Sequence, residues 1–257
     1  MSKYKLSFIK DQDLFNHIKE TVDKYRFQID FEKLNKNLLD PVKLTFDSAI
    51  YQGGFSNENL ERILENEVLR QIDKSNTNHI GYFHQNIFKY IGANNGWTVP
   101  NQGFDIENHK LNIFVEMKNK HNTMNSSSSA KTYMRMQNQI LKNPKSICML
   151  VEIIAKNSQN IVWTCSLDNQ KMEHENIRRV SIDKFYEIVT DNSTAFLELC
   201  QVLPQVIQDV LKEQDQHIVE NTVIQDLQEK GIDNILQKLY LVAFKKYQGF
   251  EHFTLKI

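Results

Sequence analysis

Ile113-Phe-Val-Glu-Met-Lys118, read with Gly103-Phe-Asp-Ile-Glu-Asn108 just before it, is the stretch that decides the fold. An extended strand sends successive side chains to opposite faces, so Glu116 and Lys118 leave one face while Val115 and Met117 leave the other. Pairing the two segments as a hairpin around residues 109–112 sets Asp105 opposite Glu116. The same register sets Phe104 opposite Met117 and Ile106 opposite Val115, which makes the second face apolar. Two carboxylates and an ammonium then converge above a hydrophobic floor. Acid-x-Lys occurs once in the chain, at Glu116-Met-Lys118. Taken alone it reads first as an exposed charged pair on a strand; its position in an apolar strand, with an acid ahead of it, points to a metal site.

Working outward, the period is helical before this hairpin. Residues 11–26, 57–73 and 79–91 read as helices, the second entered from Gly53-Gly54 with Ser56 as its cap. Its stripe is Leu60, Ile63, Leu64, Val68 and Ile72, with Glu67 and Gln71 beside it. Three short strands follow (97–100, 103–108, 111–118), then a polar loop at 119–129 and a helix over 130–142 that stops at Pro144. Residues 147–155 and 160–166 are apolar, β-branched runs and read as core strands. Helices return at 182–189, capped by Ser181, and at 193–212, with a stripe of Phe196, Leu197, Cys200 and Leu203 and a kink or a split expected at Pro204. Two more are read at 221–230 and 232–247. The expected class is α/β (α+β): a mixed central sheet flanked by helices. Its core spans 78–168, between helical regions at 1–77 and 169–257, all packed as one globular unit.

Composition bounds the rest. A chain of 257 residues, 40% apolar and 25% charged, can bury a full core. The net charge of −1 gives no global basic field. Locally, Lys118, Lys120, Lys131, Arg135, Lys142 and Lys145 stand against the single acid Glu116 over residues 116–145. Cys148, Cys165 and Cys200 lack metal or disulfide spacing, and the first two sit in apolar runs as small core residues. Residues 6–9 meet Lys10 and Asp11 too soon for a signal peptide, and the run 147–155 is too short to span a bilayer. A cytoplasmic protein is expected.

Hydrolysis of a phosphodiester needs charge relief on the phosphate, a placed water and a stabilised leaving oxygen. Magnesium with hard oxygen ligands supplies these. Asp105, Glu116 and the backbone carbonyl of Met117 are the candidate ligands, and Lys118 the group that orients the water and offsets charge. Replacing Asp105, Glu116 or Lys118 by Ala is expected to abolish cleavage while DNA binding persists.

A helix, three strands carrying Asp and then Glu-x-Lys, then a helix and a strand resembles the PD-(D/E)xK nuclease superfamily. More narrowly, Gly103-Phe-Asp105 with Val115-Glu-Met-Lys-Asn-Lys-His-Asn-Thr123, and later Ile177-Arg-Arg-Val-Ser-Ile-Asp-Lys-Phe-Tyr186, is similar to type II restriction endonucleases that cut GGNCC. The resemblance implies a magnesium-dependent, site-specific endonuclease that leaves 5′-phosphates. It also implies a homodimer on palindromic DNA and a cognate DNA methyltransferase as genetic partner. Phe104 replaces the usual proline. The first core helix, which often brings a further acid, offers His84 and Gln85 instead. Glu67 is another source of that acid, or simply a charge at the edge of its stripe. His84 is either a ligand or a half-buried core histidine, and Glu152 either supports the site or faces solvent at a strand end. Lys120, His121, Asn122 and Asn125 in the polar loop, Ser128 (or Ser129) as cap of the next helix, and Lys131 and Arg135 on it are the candidate DNA contacts. A solvated connector is the plainer reading of the same loop. Two rivals share the core: a repair or junction-resolving nuclease, and a non-catalytic DNA-binding protein.

Overall fold

The computed structural model describes residues 3–25, 40–167 and 170–213, together with Gln237 and Leu239. The helices read at 221–230 and 232–247 lie outside the described residues, those two positions aside. The chain divides into two compact units, one made of Met1–Lys24 and His79–Asp215, the other of Tyr25–Asn78 and Gln216–Ile257.

In the second unit, α2 (Pro41–Gln52) starts at Asp40, whose carboxylate accepts from the amides of Val42 and Lys43, and stops at Gly53 with φ +74°. The helix α3 (Asn57–Asn86) is a single run. The break expected after residue 73 is absent because Lys74–Asn78 contain neither Gly nor Pro, and their polar side chains interrupt the apolar stripe without interrupting the backbone. Leu60, Ile63, Leu64 and Val68 are buried as their spacing predicts, whereas Ile72 is only half-buried.

The first unit holds the sheet. After α1 (Asp11–Lys24) and the end of α3 come β1 (Trp97–Thr98), β2 (Ile106–Asn108) and β3 (Ile113–Lys120), then α4 (Ser126–Lys142) and β4 (Ile147–Ile154). The chain continues through β5 (Asn160–Val162), the small hairpin β6 (Cys165–Leu167) and β7 (Gln170–Met172), β8 (Ile177–Ser181), α5 (Ile182–Thr190) and α6 (Ala195–Lys212). Six strands form one sheet in the order β1-β2-β3-β4-β8-β5. β3, β4 and β8 are parallel at its centre, and the flanking pairs are antiparallel. A parallel pair needs a covered crossover, and α4 supplies it between β3 and β4. The sheet therefore runs past residue 168 to Ser181. The central strand β8 escaped the period reading because its alternation is short and two arginines occupy it.

Both faces are covered. On one, Ile106, Val115, Met149, Val151 and Val180 pack with Leu14 and Ile18 of α1, Phe185 and Tyr186 of α5, and Leu199 and Val206 of α6. On the other, Phe114, Cys148, Leu150 and Ile177 pack beneath Tyr133, Met136 and Ile140 of α4, with Trp163. Each fully buried aliphatic or aromatic side chain here contributes roughly 1.5–3 kcal/mol. Cys148 and Cys165 are buried as expected.

Four local readings need correction. The helix α4 begins four residues earlier than read, with Asn125 as its cap: the Asn125 side chain accepts from the Ser128 amide at 2.8 Å, and Ser126–Ser129 form the first turn. Ser181 precedes α5, yet its hydroxyl bonds Gln159 rather than the helix. In α6 the buried residues are Ala195, Leu199, Val206 and Val210; of the stripe read, Phe196 and Leu203 pack against the core, while Leu197 and Cys200 are exposed. Pro204 lies inside α6 without splitting it. Among the described residues no helix is long and apolar enough to cross a membrane.

Candidate active site

The register of β2 against β3 is the one the alternation demands: Ile106 faces Val115 and Asn108 faces Ile113. The hairpin closes through Asn112, at φ +55°. Extending that register by one places Asp105 at Glu116, but Asp105 lies just beyond the end of β2, where the strand bends away. Its amide donates to the Val115 carbonyl at 2.9 Å, and its Oδ2 accepts from the Met117 amide at 2.8 Å. The Asp105 carboxylate is thereby held against the backbone between Glu116 and Lys118.

Gly103 makes the bend. At φ +106° it adopts a conformation that L residues avoid, and a Cβ there would stand 3.0 Å from Glu107 Oε1. Glu107 Oε1 in turn accepts from the Phe104 amide. The bend carries Phe104 off the face shared by Ile106, Val115 and Met117. Its ring packs instead on Phe114, centroids 5.5 Å apart, on the opposite side of the sheet. The pairing of Phe104 with Met117 is therefore not formed.

Glu116 is buried, with side-chain exposure of 12%. Its Oε1 accepts from Lys118 Nζ at 2.9 Å. Arg135 of α4 places Nη2 3.0 Å from Oε2. That approach has the distance of an ion pair but not the angle of a hydrogen bond, and Oε2 accepts none while being sealed from solvent. Oε2 therefore keeps a lone pair to spare. Arg135 is itself held over the Phe104 ring at 4.4 Å and donates to the Gly103 carbonyl. Burial, and then the neighbouring Glu116, push the Asp105 carboxyl above its ordinary range, against the pull of the Met117 amide, Lys118 and Arg135.

A desolvated carboxyl raised by a second carboxylate, beside a buried oxygen lacking a hydrogen bond, is the electrostatic signature of a place for a hard cation. Asp105 and Glu116 are hard oxygen donors of the kind that would hold a magnesium ion. Among the described residues no third His, Cys, Asp or Glu joins them.

The other candidates are dispersed. Gln85 touches the site through the backbone, donating to the Asp105 carbonyl at 3.2 Å. His84 is packed edge-on against Phe83, and burial followed by His17 lowers its pKa to about 4. Glu67 belongs to the other unit, where it is buried and committed to Arg70 and Gln71. Arg70 and Gln71 outweigh burial and hold its pKa below the usual range. Lys120, His121, Asn122, Asn125, Ser128, Lys131 and Arg135 are all exposed at residue level. Lys120 follows Lys118 on the same strand face, and the polar loop leaves β3 there, beyond Glu116 along the strand. Glu152 is not a solvent-facing strand end: it is fully buried, and Arg179 of β8 forks both its oxygens at 3.0 and 2.6 Å. No spacing rule could name Arg179, since its partner is 27 residues away on another strand.

Residues 6–212 match the family model of the Eco47II restriction endonuclease. The chain is 36% identical over 221 residues to the type II restriction enzyme Sau96I of Staphylococcus aureus, covering 81% of each. It is 29% identical over 223 residues to the type II restriction enzyme Eco47II of Escherichia coli, covering 81% of this chain and 89% of that one. With a matching family model over most of its length and the sheet and acid pair already described, the chain belongs to the Eco47II family of type II restriction endonucleases.

Proposed function

We propose that the protein hydrolyses both strands of double-stranded DNA at a fixed sequence with magnesium, leaving 5′-phosphates, and that GGNCC is that sequence. The observation that carries the chemistry is the meeting of Asp105 and Glu116 beside Lys118, with Glu116 Oε2 buried and accepting no hydrogen bond. The sequence cut rests on the family resemblance alone.

Asp105, Glu116 and the Met117 carbonyl would hold the metal. Bound there, magnesium supplies Lewis-acid polarisation of the phosphate and lowers the pKa of water. The chain's own groups do the rest. Lys118 Nζ, fixed by Glu116 Oε1, orients the attacking water and offsets the charge that builds on phosphorus. Arg135, already poised between Glu116 and the Gly103 carbonyl, offers a guanidinium to the phosphate. The water oxygen bonds to phosphorus and gives up a proton to solvent, the bond to the 3′ oxygen breaks, and that oxygen leaves as a hydroxyl after taking a proton from solvent. The loop residues Lys120, His121, Asn122 and Asn125, with Ser128 and Lys131 at the start of α4, face the DNA. A palindromic target calls for a two-fold homodimer. A methyltransferase protecting the host's own sites, and a cytoplasmic location, complete the reading.

The test is incubation of the full chain with a sequenced plasmid and magnesium chloride, followed by mapping of the ends. Discrete fragments ending within GGNCC, labelled by kinase only after phosphatase treatment, are expected. Discrete fragments at another sequence would replace the site and keep the activity. Cleavage confined to branched DNA would favour a junction-resolving nuclease, and no cleavage with any divalent ion would leave a binding protein.

A further inference from the structure

We infer that Glu152 and Arg179 form a positioning pair that fixes the loop at residues 121–125 against the DNA and so sets discrimination between sequences. This rests on the nuclease reading above. Glu152 is the register partner of both Lys118 on β3 and Ser181 on β8, so it stands on the site's face of the sheet. Arg179 satisfies both of its oxygens, and the same Nη2 also donates to the His121 carbonyl at 3.1 Å. From the other side, the His121 amide donates to the Ile154 carbonyl of β4 at 3.0 Å. His121 is thus tied by its N–H to one strand and by its C=O to the next.

The loop beyond depends on that anchor. The Thr123 amide and hydroxyl both bond the Lys120 carbonyl, and Asn125 then caps α4. Between His121 and the helix the hydrogen bonds are short-range, and one side chain, Met124, packs against the core under α4. A buried ion pair rarely stabilises more than an apolar pair of the same volume. Stability alone therefore gives little reason to keep one here. An apolar pair, however, has no donor for the His121 carbonyl. What the pair supplies is a fixed backbone under exposed His121, Asn122 and Asn125, so the ordering cost is met before DNA arrives. A loosened loop keeps its side chains but loses their geometry, and near-cognate sites gain on the cognate one.

Arg179→Lys keeps a charge beside Glu152 but cannot fork it and reach His121 together. Glu152→Met with Arg179→Met removes the pair without leaving a lone buried charge. Steady-state and single-turnover cleavage are measured for both and for wild type, on the wild-type cut site and on duplexes with one base pair changed. Thermal melts report folding. The expected result is a fall of about tenfold in the ratio of kcat/KM between the two substrates, carried by KM. The single-turnover rate at saturating DNA stays within about threefold of wild type. Variants that keep the ratio, whether they melt early or not, make the pair structural and overturn the inference. A loss in kcat with KM unchanged overturns it too. Should the double variant not fold, Arg179→Lys decides. If wild type itself cuts no DNA, the nuclease reading has failed; if wild type cuts and the ratio holds, only the clamp has.

Discussion

Two buried glutamates share one face of the sheet and have opposite surroundings. Glu152 spends both oxygens on Arg179. Glu116, on the adjacent strand, spends one on Lys118 and leaves the other without a hydrogen bond, with Arg135 close but misaligned. A buried carboxylate is costly in either place. What separates them is whether the cost has been met inside the chain. A saturated carboxylate holds architecture, whereas one with a spare lone pair, beside a second carboxyl that it raises, is the one to which we assign a cation.

Exchanging the losses is the strongest way to break that contrast. Glu116→Gln keeps the acceptor for Lys118 and removes the charge, so cleavage should fall by roughly 10³-fold with the melting temperature unchanged or higher. Glu152→Ala should do the reverse to stability: it strands the Arg179 guanidinium and costs about 3–5 kcal/mol. A melt and a cleavage rate on each variant suffice. If Glu152→Ala melts like wild type but fails to cut, the saturated glutamate is catalytic and the contrast is wrong.

How far the sequence reached follows the same division between local and distant bonds. The hairpin was legible because one turn and strict alternation fix a register, and Ile106 does face Val115. Asp105, Glu116 and Lys118 came with it. Phe104 was misplaced because Gly103 takes a left-handed bend that no alternation rule contains. The long helix α3 was read as two, since polar residues at 74–78 hide a backbone that never breaks. The clamp was illegible for a deeper reason: Glu152 sits in an apolar run, and nothing in that run says that β8 will lie alongside it.

The far side of the sheet offers a third buried ionisable group. His84 has burial against it, and then the neighbouring His17, which together bring its pKa from 6.5 to about 4. Its Nδ1 is buried without a hydrogen bond, so nothing rewards a proton there. The unfolded chain takes up that proton at higher pH than the folded one. Stability is therefore fully present above about pH 6.5 and lost as pH falls toward 4, by up to about 3 kcal/mol. Denaturant melts across that window should show the slope, and His84→Gln should flatten it. An unchanged slope in the variant would assign the acid sensitivity elsewhere, with buried His17, also shifted down by burial, the next group to replace.

The smallest effect concerns where α4 begins, because that helix brings Arg135 to Glu116. If Asn125 is the cap, Asn125→Ala leaves the Ser128 amide without its acceptor and costs about 1 kcal/mol. Ser128→Ala removes a hydroxyl already inside the first turn and should cost a few tenths at most. If Ser128 were the cap, the two outcomes would trade places. The consequence reaches the site: a helix started three residues later frays its first turn and loosens Arg135, which meets Glu116 from the third. Asn125→Ala should then weaken cleavage several-fold and more than Ser128→Ala, which loses only a hydroxyl facing the DNA. Equal cleavage by both would mean that Tyr133, Met136 and Ile140, buried beneath α4, hold Arg135 in place without the cap.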